Sequence, residues 1–137
     1  MNGWLGHLGA DGRPRLKLKI IGPNADQEFE AVIDTGFTGF LHMPLLDAIP
    51  LGVILQGTAA VNIADGSSVT VLLTTFEVEV DGDKRPGSIM LDMGSNLVLI
   101  GMEFLKIFDR FLTVDVISGP YMIERSKLQK LVNERAN

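Results

Sequence analysis

An all-β domain is what this chain of 137 residues predicts. Short apolar runs alternate with polar residues at period two, the pattern of half-buried strands. Clusters of Gly, Pro, Asn and Asp separate these runs at short intervals. Segments with helical periodicity are few. Many short strands divided by turn signals favour a closed barrel or a sandwich.

Residues 1–14 are glycine-rich and contain Asp11-Gly12, a turn signal. Arg15–Ile20 alternates charged and apolar residues and reads as the first clear strand. Gly22-Pro23-Asn24 turns the chain into a second strand, Glu28–Ile33, which ends at Asp34. Phe40–Met43 is a third. Pro44–Ile49 is short and helix-compatible, with proline tolerated in the first turn; Pro50 and Gly52 stop it. Val61–Ala64 and Val69–Leu72 flank Asp65-Gly66-Ser67-Ser68, a strong hairpin signal. Thr75–Val80 alternates again before the turn Asp81-Gly82-Asp83. Ile89–Asp92 and Leu97–Ile100 are short strands, and Met102–Phe108 is helical after Gly101. Phe111–Val116 and Tyr121–Ile123 complete the strands. Glu124–Ala136 is rich in helix formers, with Leu128, Leu131 and Val132 at helical spacing. No repeat or low-complexity stretch interrupts the chain, so residues 1–137 read as a single domain.

Composition removes several classes of function. Hydrophobic residues make up 46% and charged residues 21%, which is ordinary for a globular domain. The net charge is −5 without any Lys/Arg run, so nucleic acid and anionic membranes are not expected partners. There is no cysteine, which excludes disulfides, thiolate zinc sites and a cysteine nucleophile. With His7 and His42 the only histidines, no His-rich metal site is expected. No apolar stretch approaches the length of a membrane span. No basic segment followed by an apolar run opens the chain, and a cytoplasmic protein is expected.

The most informative segment is Val32-Ile33-Asp34-Thr35-Gly36-Phe37-Thr38-Gly39-Phe40-Leu41. It sets one acid in a glycine-marked turn between two apolar runs, so the carboxylate is presented at a strand end. Asp34-Thr35-Gly36 is also the active-site triplet of aspartic proteases. About thirty positions later comes the hairpin with its tip at Asp65-Gly66-Ser67. Strand, turn and strand follow across Val78–Met90, and then the run Leu97-Val98-Leu99-Ile100-Gly101-Met102-Glu103-Phe104-Leu105.

In this order the motifs resemble those of single-domain, retroviral-type (retropepsin-like) aspartic proteases of the bacterial and archaeal kind. The resemblance covers about residues 15–123 and leaves 124–137 as a helical tail. It implies a closed acid-protease barrel with one short helix after the apolar-Gly run and a C-terminal helix. It also implies an aspartic endopeptidase that hydrolyses peptide bonds by water attack, without metal or cofactor. Asp34 would be the catalytic residue, with Thr35 and Gly36 supporting its loop. Phe37, Ala64, Asp65, Gly66, Ser67 and Val98 would line the substrate cleft, the hairpin acting as a flap. The mechanism needs two carboxyls that share one proton, because like charges a few ångströms apart resist double ionisation. The chain holds one Asp-Thr-Gly, so a homodimer acting on a peptide or protein substrate is expected.

Two features depart from the family pattern. Phe37 stands where Ala or Ser is usual, and the hairpin tip carries one glycine rather than several. Phe37 beside the carboxyls favours an alternative, a retropepsin-like dimer that grips peptides without cutting them; a purely structural dimer with a closed cleft is a third reading. The remaining residues have simpler readings. Asp92, Asp109 and Asp115 are turn or surface acids, and His42 is a packing or edge residue. Lys127, Lys130 and Arg135 form a solvated face, while the tail's apolar stripe covers a barrel end or joins the dimer interface.

Overall fold

The computed structural model describes residues 3–62 and 64–136. Met1, Asn2, Ile63 of the predicted hairpin and Asn137 of the tail lie outside the described residues. The strands are β1 (Gly3–Leu5), β2 (His7–Leu8), β3 (Pro14–Ile21), β4 (Asp26–Ile33), β5 (Leu41–Pro44) and β6 (Gly57–Asn62). They continue with β7 (Ser68–Val80), β8 (Asp83–Asp92), β9 (Leu99–Ile100), β10 (Arg110–Asp115) and β11 (Gly119–Glu124). Helices are α1 (Leu45–Ala48), α2 (Met102–Ile107) and α3 (Arg125–Ala136), with a 3-10 turn at Ile49–Leu51.

The larger sheet runs β2-β3-β4-β9-β5-β8-β7-β6, and β3 also pairs with β7. That extra pairing, Ile20 opposite Val78, closes β3-β4-β9-β5-β8-β7 into the expected barrel. A second sheet, β1-β11-β10, lies outside the ring. One apolar cluster runs through both, from Leu18, Ile20 and Val78 in the barrel to Trp4 and Met122 in the small sheet. Its aromatic centre is Phe104, whose ring lies 4.6 Å from Phe108 and 5.4 Å from Phe40, with Trp4 edge-on to Phe108 at 5.1 Å. Arg110 Cζ lies 4.1 Å from the centre of the Trp4 ring, and its guanidinium reaches Glu124 at 3.2 Å.

The strand pattern predicted from alternation is present, with several differences. The strand expected over Val61–Ala64 runs Gly57–Asn62 with Ala64 in the turn, and the one expected over Ile89–Asp92 begins at Asp83. Residues 69–72 and 75–80 are parts of one strand, β7, although Leu72-Leu73-Thr74 breaks the alternation. Pairing overrides the pattern there: β8 matches β7 continuously from Leu72 opposite Leu91 to Val80 opposite Asp83. The strand expected over Leu97–Ile100 shortens to Leu99–Ile100. The glycine-rich start supplies β1 and β2, which turn signals alone did not reveal. The tail is helical as expected, and Arg125 anchors it through Asp109 at 3.0 Å and the Phe111 ring at 4.6 Å.

Candidate active site

Asp34 follows directly on β4, and its position is set by β9. The pair β4–β9 is parallel, while β9 meets β5 antiparallel, so the chain leaves the barrel at Asp34 and re-enters at Leu41 around one short central strand. Hydrogen bonds fasten both ends of the intervening loop. Asp34 N–H donates to the Ile100 carbonyl at 2.9 Å, and Gly101 N–H donates to the Phe40 carbonyl at 3.1 Å. The first residues of α2 hold the middle: Met102 N–H donates to the Phe37 carbonyl at 2.8 Å and Glu103 N–H to the Thr38 carbonyl at 3.2 Å. The apolar-Gly-helix run is thus the structural clamp of this loop.

Within the loop, Gly36 N–H donates to Asp34 Oδ1 at 3.0 Å. This contact fixes the half-buried carboxylate and leaves its second oxygen without a side-chain partner among the described residues. Thr35 and Gly36 are exposed at the loop's apex. Phe37 is half-buried. A Cβ at Gly39 would stand 2.6 Å from Phe37 Cζ, and one at Gly101 would stand 2.6 Å from Phe37 Cδ2. The two glycines make the space in which the bulky ring fits. Its edge meets the His42 ring at 6.1 Å.

A cavity of about 270 Å³ opens beside Asp34. Its floor follows from strand register. Leu99 of β9 faces His42 of β5, and His42 faces Met90 of β8; Asp92 lies two residues further along the same face. The other wall is the hairpin stem, where Val61 faces Val69, and Val71 shares their side. The described residues of the hairpin tip are not among those that line this cavity. There Ala64, Asp65, Gly66 and Ser67 are all exposed. Asp65 Oδ1 accepts from Ser67 N–H at 2.8 Å and from Ser67 Oγ at 2.6 Å. The Ser67 hydroxyl and then its N–H hold the Asp65 carboxyl below the ordinary aspartate range. Gly66 has φ +87° with nothing near a Cβ, so the turn requires its conformation rather than its small size.

Val98, expected in the cleft, is instead buried in the core, and its carbonyl accepts from Val32 N–H at 2.8 Å. Its neighbour Leu99 takes the cavity position, because adjacent residues of an extended segment face opposite ways. Sequence reasoning also missed His42 and Asp92 as cavity residues. His42 Nε2 lies 3.2 Å from Asp92 Oδ2. Asp92 also caps its own turn through Gly94 N–H, while Asp115 caps another through Ile117 N–H at 2.8 Å. No group of three or more His, Asp or Glu that could hold a metal occurs among the described residues.

No protein-family model matches the chain, and no curated protein matches it in sequence. Solved structures do match. A retropepsin-like aspartic protease from Rickettsia conorii superposes with a TM-score of 0.58 at 16% identity, over 88% of this chain and 89% of that one. EIAV protease, complexed with the inhibitor HBY-793, gives a TM-score of 0.55 at 15% identity, over 69% of this chain and 86% of its own. At such identities the likeness is one of backbone architecture. Together with the ring closed by β3 and β7 and the Asp34 loop clamped by β9 and α2, it shows that this chain has the retropepsin-like fold.

Proposed function

We propose that the protein is an aspartic endopeptidase assembled as a homodimer, with Asp34 of each subunit forming the catalytic pair. The observation that carries this reading is the Asp34 carboxylate, held by Gly36 on one oxygen and open to a cleft between strand floor and hairpin. One carboxyl is insufficient for the chemistry. In the pair, the ionised group takes a proton from water as its oxygen adds to the scissile carbonyl carbon. The protonated partner gives its proton to the carbonyl oxygen. Collapse of the resulting diol breaks the C–N bond, and a proton passes to the departing nitrogen. The two carboxyls titrate as a unit. Thr35, exposed at the apex, is free to bond across the two-fold axis, and the hairpin is the flap that closes over an extended peptide.

The test is cleavage of a diverse peptide library from about pH 3.5 to about pH 7.5, wild type against Asp34→Asn, with the oligomeric state measured by sedimentation. Wild type is expected to cut on the acid side of neutral, with specific activity rising as protein concentration drives dimerisation. Asp34→Asn is expected to remain folded and inactive. Full activity in Asp34→Asn overturns the proposal, and so does a rate that increases above about pH 8. The second reading, a peptide-binding dimer without turnover, is favoured by Phe37, which lines the cavity beside Asp34. It predicts peptide retention without cleavage by folded, dimeric protein.

A further inference from the structure

The floor of the cleft is not wholly apolar. Val61, Val69, Val71, Met90 and Leu99 line the cavity, and among them stand His42 and Asp92. Neighbouring groups orient this pair. Asp92 Oδ1 accepts from Gly94 N–H, which orients the carboxylate so that Oδ2 faces His42 Nε2 at 3.2 Å. Phe37 packs edge-on against the imidazole at 81° between ring planes. His42 Nε2 donates to Asp92, and the other ring nitrogen is Nδ1. That Nδ1 is buried and has no hydrogen-bond partner among the described residues. Asp92 is itself an acceptor only, and its side chain remains 31% exposed against 15% for His42. The accessible position of the pair is therefore the Asp92 carboxylate, and it calls for a donor. A carboxylate exposed to the cleft rewards a ligand that supplies a hydrogen-bond donor.

We propose that His42 and Asp92 form the polar end of a substrate subsite that takes a side chain with an apolar stem and a hydrogen-bond donor at its tip, such as tyrosine or lysine. The valines and Met90 cover the stem, and the Asp92 carboxylate, held by His42, receives the donor. This rests on the peptide-cleaving reading of the same cleft, but its binding readout is independent of turnover. His42 and Asp92 act here as specificity residues and take no part in the bond-breaking step.

The test uses short peptide mixtures with random flanks that differ at one central residue: tyrosine against phenylalanine, and lysine against norleucine. Each mixture is measured twice, as kcat/KM with wild type and as retention on immobilised Asp34→Asn protein. A preference of about tenfold for the donor-tipped member of each pair is expected, the ratio that one hydrogen bond to a charged acceptor supplies. Asp92→Asn removes the charge and preserves an oxygen for Gly94 N–H; it should reduce the lysine preference to within about threefold. Cleavage without preference overturns the subsite and leaves the protease reading standing. Preferential retention without cleavage does the reverse. A wild-type preference that Asp92→Asn leaves unchanged overturns the assignment to this pair, and neither cleavage nor retention of any mixture overturns both readings.

Discussion

Gly101→Ala is a severe test of how the Asp34 loop is held. Gly101 precedes α2 with φ −104° and ψ −177°, a conformation open to any residue, so the cost of a methyl group is steric alone. An added Cβ would stand 2.0 Å from the Gly39 carbonyl oxygen, 2.6 Å from Phe37 Cδ2 and 2.8 Å from the Phe37 carbonyl oxygen. The Phe37 ring can rotate away, but the two carbonyls belong to the loop backbone. Moving them stretches the bonds they accept, from Glu103 N–H to the Gly39 carbonyl and from Met102 N–H to the Phe37 carbonyl, at 3.2 and 2.8 Å. Overpacking of this kind costs about 2 kcal/mol, and weakening two backbone hydrogen bonds adds about 1 kcal/mol. For a domain of this size, about 3 kcal/mol lowers Tm by about 10 °C. Circular dichroism melts of wild type and Gly101→Ala measure it directly. Adding Phe37→Ala should restore only a minor part, since it removes one of the three close approaches. A melt within about 2 °C of wild type would refute the clamp as described.

At Gly39 the close atoms are the far end of the Phe37 ring, so Gly39→Ala should cost only about 1 kcal/mol in a urea melt, and Phe37→Ala should relieve most of it. Independent costs that simply add would contradict this packing. Arg110→Met should cost about 2 kcal/mol in urea unfolding, because a guanidinium only 7% exposed loses Trp4, Glu124 and Asp83 together, while both carboxylates keep contact with water. Asp65 titrates below the ordinary aspartate value of 3.8 because Ser67 bonds its ionised form. The turn's contribution is therefore complete above that ordinary value and is lost as pH falls through the lowered one. Carbon-detected NMR titration should show the depression, and Ser67→Ala should raise the Asp65 value towards 3.8.

The features legible in the sequence are those that a few neighbouring residues decide. Asp34-Thr35-Gly36 after an apolar run announces a presented carboxylate, and Asp65-Gly66 announces a hairpin because its φ of +87° suits glycine. Features decided by partners far along the chain were not legible. β1 has three residues, too few to show a period, and exists because Trp4 is buried beside Phe108 while Gly3 faces Ile123. Val98 and Leu99 are equally apolar, and only the pairing of β9 with β5 decides which of them faces the cleft. His42 is the sharpest case. Between Leu41 and Met43 it looks like a packing residue, and Asp92 looks like a turn acid. Asp92 is indeed a turn acid, through Gly94. The parallel register that sets His42 opposite Met90 then brings Asp92 onto the same face. The pair is made by strand register between distant segments, and no local pattern records it. Such residues become visible as candidates only when the barrel is closed, and in this chain they stand within the same cavity as Asp34.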